Sequence, residues 1–214
     1  MAMAESTPSI EDRWPHTGAV LAGGQSRRMG EPKEGIVLWD GQPMIQHVLA
    51  TLGRVCRHVV IIGQCRGFEI PDGSPLVRLP DLRPGGGPLA GIETLLRSGL
   101  DSGYLVVACD QPLLREPLLR RLVTAAGARP CFLRPEDGSW LGPFPGYFPA
   151  ACLEQVDLAL RRGVTSVRRV FAESDVTWVP ISPEEQSQLK SIDSPADLAE
   201  LLQSAPEETD SPGG

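Results

Sequence analysis

The stretch TGAVLAGGQSRRMGEPK, residues 17–33, decides how the rest of the chain is read. It opens with a short apolar run that ends in glycines, the pattern of a buried strand. A loop carrying paired glycines and three basic residues follows, and it leads toward a helix. From Pro43 onward, Ile45, Val48, Leu49 and Leu52 recur at i, i+3, i+4 and i+7, the apolar stripe of a helix. Between loop and helix, Asp40-Gly41 is a turn signal.

The same alternation recurs downstream. HVVIIG (58–63) is a second buried strand, followed by a Pro/Gly-rich loop and the short LVRLP. Leu89, Ile92, Leu95 and Leu96 restart a helical stripe that closes near Gly99. YLVVAC (104–109) is the most strand-like run, and it ends at Asp110-Gln111-Pro112, where proline stops the ladder. Leu118, Leu119, Leu122 and Val123 mark the next helix. Such alternation implies βαβ units and a parallel sheet. Residues 130–150, rich in Pro, Gly and aromatics, break the rhythm and read as an insertion with short strands. Helical stripes resume at Leu153, Val156 and Leu160, then at Val167, Val170 and Phe171, before a late strand VTWVP. Ser194-Pro195-Ala196-Asp197 resembles a capping box with proline at the first helical position, opening a last helix through Leu198, Leu201 and Leu202. Residues 1–16 and 204–214 are polar and expected to be flexible tails, leaving 17–203 as a single domain.

Composition narrows the function classes. The 214 residues hold 20 Lys+Arg against 27 Asp+Glu, a net charge of −7. That argues against a general nucleic-acid binder but leaves room for a local basic site for phosphates. The 23 glycines and 21 prolines are about a fifth of the chain, against roughly 12% in ordinary proteins. They fall in clusters, hence many loops. Cys56, Cys65, Cys109, Cys131 and Cys152 are odd in number and none is spaced CxxC. They suggest neither a disulfide framework nor a zinc site. No apolar stretch approaches a membrane span, and the first residues lack a secretory apolar core. A cytoplasmic protein that contacts no membrane is the expectation.

In open α/β sheets, ligands bind beyond the carboxyl ends of the strands. Three loops leave such ends, at 23–33, 81–88 and 110–112. In the first, Gly23 and Gly24 let the backbone bring amides close to an anion, and Arg27, Arg28 and Lys33 add positive charge. That suits a triphosphate, though neither a Walker A nor a GxGxxG pattern is present. The alternative is a strand-to-helix loop with solvated basic side chains; Lys33, a loop lysine, is expected to be solvent-accessible. Asp110 either holds Mg²⁺ or caps a turn or the next helix. The 81–88 loop, starting at Asp81, either faces an anion from a helix start or is a flexible connection. Trp140, Phe144, Tyr147 and Phe148 form a small core or a substrate wall, the core being favoured. His47 is expected at the surface. Asp193 is either a second metal ligand or part of a turn.

Taken together, these motifs resemble those of the nucleotidyltransferases. LAGGQSRRMGEPK resembles the signature LAGGxSxRMGxDK. PDLRPGGGPLAGI resembles the second segment, CDQP the metal-binding segment, and SIDSPADL the late NxNTPxxL segment. The nearest family is that of the molybdenum cofactor guanylyltransferases. The resemblance implies a doubly wound α/β fold, a mostly parallel Rossmann-like sheet with helices on both faces. It also implies transfer of GMP from GTP to molybdopterin carrying molybdenum, with release of pyrophosphate and with Mg²⁺. Carried over by position, Leu21, Ala22, Gly23 and Gly24 would contact GTP, Lys33 its phosphates and Asp81 the nucleotide. Asp110 would bind GTP and Mg²⁺, while Arg28 and Lys33 would offset charge on the leaving pyrophosphate. The expected partners are GTP, Mo-molybdopterin and molybdoenzyme-maturation proteins, with no nucleic acid. AGG and GPLAG favour the guanylyl branch over the cytidylyl one. Pro32, Ile62, Ser191 and Asp193 depart from the family pattern. The rivals are CMP transfer to molybdopterin, a sugar-phosphate nucleotidyltransferase, and a nucleotide-binding module without turnover.

Overall fold

The computed structural model describes residues 9–23 and 29–204. Strand β1 (Trp14–Leu21) lies between β2 (Cys56–Ile62) and β4 (Gly103–Ala108), with β3 (Val77–Leu79) outside β2. The sheet continues through β6 (Gly146–Pro149), β5 (Cys131–Pro135) and β7 (Thr177–Ile181), in the order β3-β2-β1-β4-β6-β5-β7. Every pairing is parallel except those of β6, which runs against both β4 and β5. Residues 130–150 are therefore no insertion: both short strands are woven into the sheet, with β6 next to β4. The first strand also begins at Trp14, three residues before the apolar run that announced it.

Two apolar layers follow from the period-2 alternation of the strands. Val20, Ile61, Leu105 and Val107 face α1 (Met44–Val55) and α3 (Glu116–Thr124), which supply Ile45, Val48, Leu52, Leu118 and Leu122. Ala19, Val60, Ile62, Tyr104 and Val106 face the other way. They meet α2 (Gly87–Arg97), α4 (Leu153–Arg161) and α5 (Val167–Phe171) through Leu89, Ile92, Val156 and Phe171. Helices on both faces make the sheet doubly wound, as expected. The stripes that announced α1, α2 and α3 are the buried faces of those helices.

Two helices follow β7. α6 (Pro183–Ser187) is capped by Ser182 and Glu185 in a reciprocal capping box. This helix went unread although the signal, Ser-Pro-Glu-Glu, was present. At α7 (Pro195–Ser204) the Ser194 hydroxyl accepts the Asp197 N–H at 3.3 Å, while the Asp197 carboxylate accepts the Asp193 N–H at 3.0 Å. A third, small apolar cluster of Ile36, Leu38, Met44, Ile192 and Leu201 joins this end of the chain to the segment after β1.

Two expectations about side chains need correction. His47 is not at the surface: its imidazole is 15% exposed, 3.1 Å from Asp40 Oδ1, and tilted against Trp39. The Asp40-Gly41 turn folds back over the first turns of α1 and covers it. The aromatic group 140–148 divides. Phe148 and Tyr147 are buried, whereas Trp140 and Phe144 are half-buried against the same layers. Phe132 lies within 6 Å, centroid to centroid, of four rings: Trp140, Phe148, Phe171 and Trp178. Truncating it leaves a cavity that these rigid rings cannot refill. Phe132→Ala is expected to lower unfolding free energy by about 3–5 kcal/mol in denaturant titration. A loss near zero would show that the ring cluster does not hold this half of the sheet.

Candidate active site

Strand register builds the site. Leu79, Ile62, Leu21 and Ala108 are paired residue to residue across β3, β2, β1 and β4, so these strands end on one row. The ladder extends one step further, with the Ala22 N–H on Ile62 O at 2.9 Å and the Cys109 N–H on Leu21 O at 3.1 Å. Loops leaving the row open a cleft of about 810 Å³, a size that suits a small-molecule ligand. Because β6 is antiparallel, the residues preceding it reach the same edge. So do those following β7, and Leu141, Phe144, Leu189, Ser191 and Asp193 border the cleft.

The backbone approaches closely at two glycines. Gly23 has φ +94°, and a Cβ there would lie 2.6 Å from the Gln64 carbonyl. A Cβ on Gly91, in α2, would lie 2.9 Å from Leu21 Cδ2. Gly23 lets the chain after β1 pass close against the chain after β2, and Gly91 lets the amino end of α2 pack onto Leu21 and Ile62 at the ends of those strands. Gly85, Gly87 and Pro88 thereby border the cleft, bringing the unpaired amides and positive dipole end of an eleven-residue helix to it.

That helix start is held from behind. Glu93 is 1% exposed. Arg83 reaches it with Nε at 2.7 Å and Nη2 at 3.0 Å, and Arg97 with Nε at 3.0 Å. Both arginines also bond Asp157 of α4. The Leu82 N–H donates to Thr94 Oγ1 at 3.0 Å. The loop after Asp81 is thus fastened to α2 rather than flexible. Asp81 itself borders the cleft, where burial raises its pKa.

Opposite lies a charge cluster. Lys33 Nζ donates to Asp110 Oδ2 at 3.2 Å and to Asp193 Oδ1. The lysine side chain is 13% exposed, so it is not the solvated loop residue expected. Burial lowers its pKa, but the bonds to Asp193 and Asp110 outweigh that and hold it above the usual lysine range. Burial raises the Asp110 pKa, with Lys33 opposing and Asp193 adding to the rise. Asp110 Oδ1 is buried with no hydrogen-bond partner among the described residues. An orphaned carboxylate oxygen beside a second carboxylate is a donor set suited to a hard divalent cation. Asp110 caps no helix, since α3 starts only at Glu116.

Of the residues singled out in the sequence, Leu21, Ala22, Gly23, Lys33, Asp81 and Asp110 border this one cleft. Gly24 and Arg28 lie outside the described residues. Glu34 and Gln111 also border the cleft and are buried. Neither was singled out, although Gln111 stands inside the CDQP motif. Glu34 accepts the Arg66 N–H at 2.8 Å and so ties the lysine segment to the loop after β2. The cysteines offer no nucleophile: burial pushes the thiols of Cys65 and Cys131 up to about 11 and that of Cys152 to about 12. Cys109, beside Asp110, is raised as well, by burial first.

The family profile of the MobA-like NTP transferase domain matches residues 18–178. The chain belongs to this family. A relative from Pseudomonas aeruginosa, named molybdenum cofactor guanylyltransferase, is 36% identical over 156 residues, covering 71% of this chain and 77% of that protein. Molybdopterin-guanine dinucleotide biosynthesis protein A of Archaeoglobus fulgidus has a similar structure, with TM-score 0.71 at 22% identity over 88% of this chain and 97% of that one. The Rv0371c protein of Mycobacterium tuberculosis, in complex with manganese, gives TM-score 0.60 at 19% identity over 88% and 98%. Family membership makes this MobA-like chain a nucleotidyltransferase of molybdenum cofactor biosynthesis. No helix among the described residues is long and apolar enough to cross a membrane.

Glu93 generates a pH-dependent expectation. Burial opposes its charge, but hydrogen bonds from Arg83 and Arg97 win and hold its pKa below 4.5. A carboxylate whose folded pKa is depressed stabilises the fold above its unfolded pKa and loses that contribution as pH falls through the folded one. Glu93→Gln should therefore cost about 2 kcal/mol at pH 7. The gap from the wild type should close as both are titrated below pH 4.5 in denaturation experiments. A gap that stays constant with pH would mean that the charge contributes nothing.

Proposed function

We propose that this chain transfers GMP from GTP to molybdopterin carrying molybdenum. A terminal phosphate oxygen of the acceptor attacks the α-phosphorus of GTP, the bond between that phosphorus and the bridging oxygen breaks, and pyrophosphate leaves with the electron pair. The observation that carries the proposal is the meeting of three features in one cleft: the Lys33–Asp110–Asp193 cluster, the Gly23 backbone and the start of α2. The names of the relatives supply guanine and the acceptor.

The residues present fit a divalent ion. Asp110 and Asp193 would hold Mg²⁺, which when bound supplies charge neutralisation and a template for phosphate oxygens. Lys33 contributes a charge-assisted donor to the triphosphate, and Arg28 a second cation on the same loop. Ala22 and Gly23 approach the nucleotide with backbone, and the α2 amides face its negative charge. Such chemistry depends on in-line positioning and fixed electrostatics, and needs no nucleophile from the protein. Nucleic acid plays no part, and contacts with molybdoenzyme-maturation proteins would follow from delivering the product.

Asp110→Asn keeps shape and removes charge. It should leave the melting temperature unchanged and lower GTP-dependent pyrophosphate release at least about a hundredfold, roughly 2.7 kcal/mol of transition-state stabilisation. Full activity with ordinary Mg²⁺ dependence would remove Asp110 from the mechanism. Lys33→Ala should lower turnover strongly through loss of a charge-assisted contact with the triphosphate, worth about 1.5–3 kcal/mol in binding. Turnover at the wild-type rate would remove Lys33 from the reaction, both as a donor to the triphosphate and as the cation that aligns Asp110 with Asp193.

Base choice is tested separately. In calorimetry GTP should bind more tightly than CTP, ATP or UTP, because a pocket lined by backbone amides and carbonyls penalises a base edge that leaves one unpaired by about 1–3 kcal/mol. Equal affinity for GTP and CTP would sink the guanylyl assignment.

A further inference from the structure

Gln111 follows Asp110 at the carboxyl end of β4, and no step described above uses it. Its side chain is buried, and the residue borders the cleft. Nε2 donates to two backbone carbonyls, Phe144 O at 3.1 Å and Leu189 O at 3.0 Å. Both partners are acceptors, so only the NH₂ group fits between them. The amide oxygen is left buried, with no hydrogen-bond partner among the described residues. A buried polar atom left unpaired opposes folding, so simple space-filling would be better served by an apolar side chain of the same length.

The two carbonyls belong to separate segments. Phe144 lies in the loop before β6 and Leu189 in the link between α6 and α7. Both segments border the cleft, and the second carries Asp193. A third bond acts in the same sense: the Ile192 N–H donates to Asp110 O at 2.9 Å. Among the described residues, the nucleotide side, Gly23 and the start of α2, makes no hydrogen bond to the Gln111 side chain.

We propose that Gln111 is a positioning residue for the acceptor: its side-chain amide holds the 141–144 loop and the 189–193 link in register with the Asp110 carboxylate. The inference rests on the guanylyl-transfer reading of the cleft. It assigns the two sides of that cleft to different devices, Glu93 and Arg83 behind the nucleotide loop and Gln111 beneath the acceptor wall.

Gln111→Met keeps length and removes both donors. In the full-length variant, amide hydrogen exchange should quicken at 141–144 and 189–193 and stay unchanged across α2. The Kd for GTP with Mg²⁺ should stay within about twofold, while KM for molybdopterin carrying molybdenum rises at least about tenfold. Unchanged exchange in both segments would overturn the proposal, as would a GTP Kd that rises in step with the acceptor KM. Should the methionine variant fail to fold, Gln111→Glu keeps the planar shape, replaces the donor nitrogen with oxygen and is read the same way. A wild-type chain that transfers no GMP to this acceptor would defeat the functional reading, and the exchange comparison would still decide the clamp.

Discussion

The ammonium of Lys33 joins two carboxylates that lie 77 and 160 residues further along the chain. Asp110 stands at the end of the buried strand β4, whereas Lys33 and Asp193 stand on irregular segments with no ladder to place them. Two buried or half-buried carboxylates repel each other, and desolvation raises the cost of their charge. A cation between them is therefore a condition of both segments lying where they do. Ion pairs of this kind add little net stability, because desolvation offsets attraction. What this one contributes is register. The small cluster of Ile36, Leu38, Met44, Ile192 and Leu201 brings the same two segments together from below, which leaves the charges to set their final alignment.

Cleft electrostatics follow from that constraint. Among the described residues bordering it are the carboxylates of Glu34, Asp81, Asp110 and Asp193, and a single cationic side chain, Lys33. A nucleoside triphosphate brings about four further negative charges at neutral pH, given its phosphate ionisations. Coulomb repulsion in a partly desolvated cleft would oppose its entry. The fixed amides at the start of α2 offset only a fraction of a charge. In the proposed reaction a bound divalent cation would offset that repulsion together with Lys33 and Arg28, and the orphaned Asp110 oxygen is a donor suited to such an ion.

Legibility in the sequence divides along the same line. Most of the parallel half of the sheet declared itself: β1, β2 and β4 each hold a continuous apolar run where both faces are covered, the exposed edge strand β3 with Arg78 in it does not, and α1, α2 and α3 each showed a clear stripe. The loops at its carboxyl edge could then be located by rule, and Asp110, Lys33, Asp81 and Gly23 came with them. The second half was harder. β6 has four residues, GYFP, too short for a period, and its Pro- and Gly-rich surroundings read as an insertion with short strands rather than as a member of the main sheet. The burial of Lys33 was hidden because its partners lie far off in sequence. Gln111 and Glu34 were missed for a related reason. A polar side chain whose partners are backbone carbonyls or amides leaves no complementary residue to find.

The reversed strand gives the cleft its two sides. β4 is the last member of the parallel run from β3, and β6 beside it points the other way. Were β6 parallel, its amino end would lie at the far edge of the sheet, and residues 141–144 could not reach the cleft. Reversal brings that amino end to the carboxyl edge, directly beside Asp110 and Gln111. The parallel connection from β5 to β7 then returns the chain to the same edge and delivers Asp193. Strand order also changes direction here, and in α/β sheets such a point opens a crevice because successive crossovers depart to opposite sides. The end of β4 thus has Gly23 and α2 on one side and the returning chain on the other. A two-substrate reaction with an in-line approach gains from holding both substrates in fixed relative positions, and among the described residues the end of β4, which Asp110 follows, is flanked by both walls of the cleft.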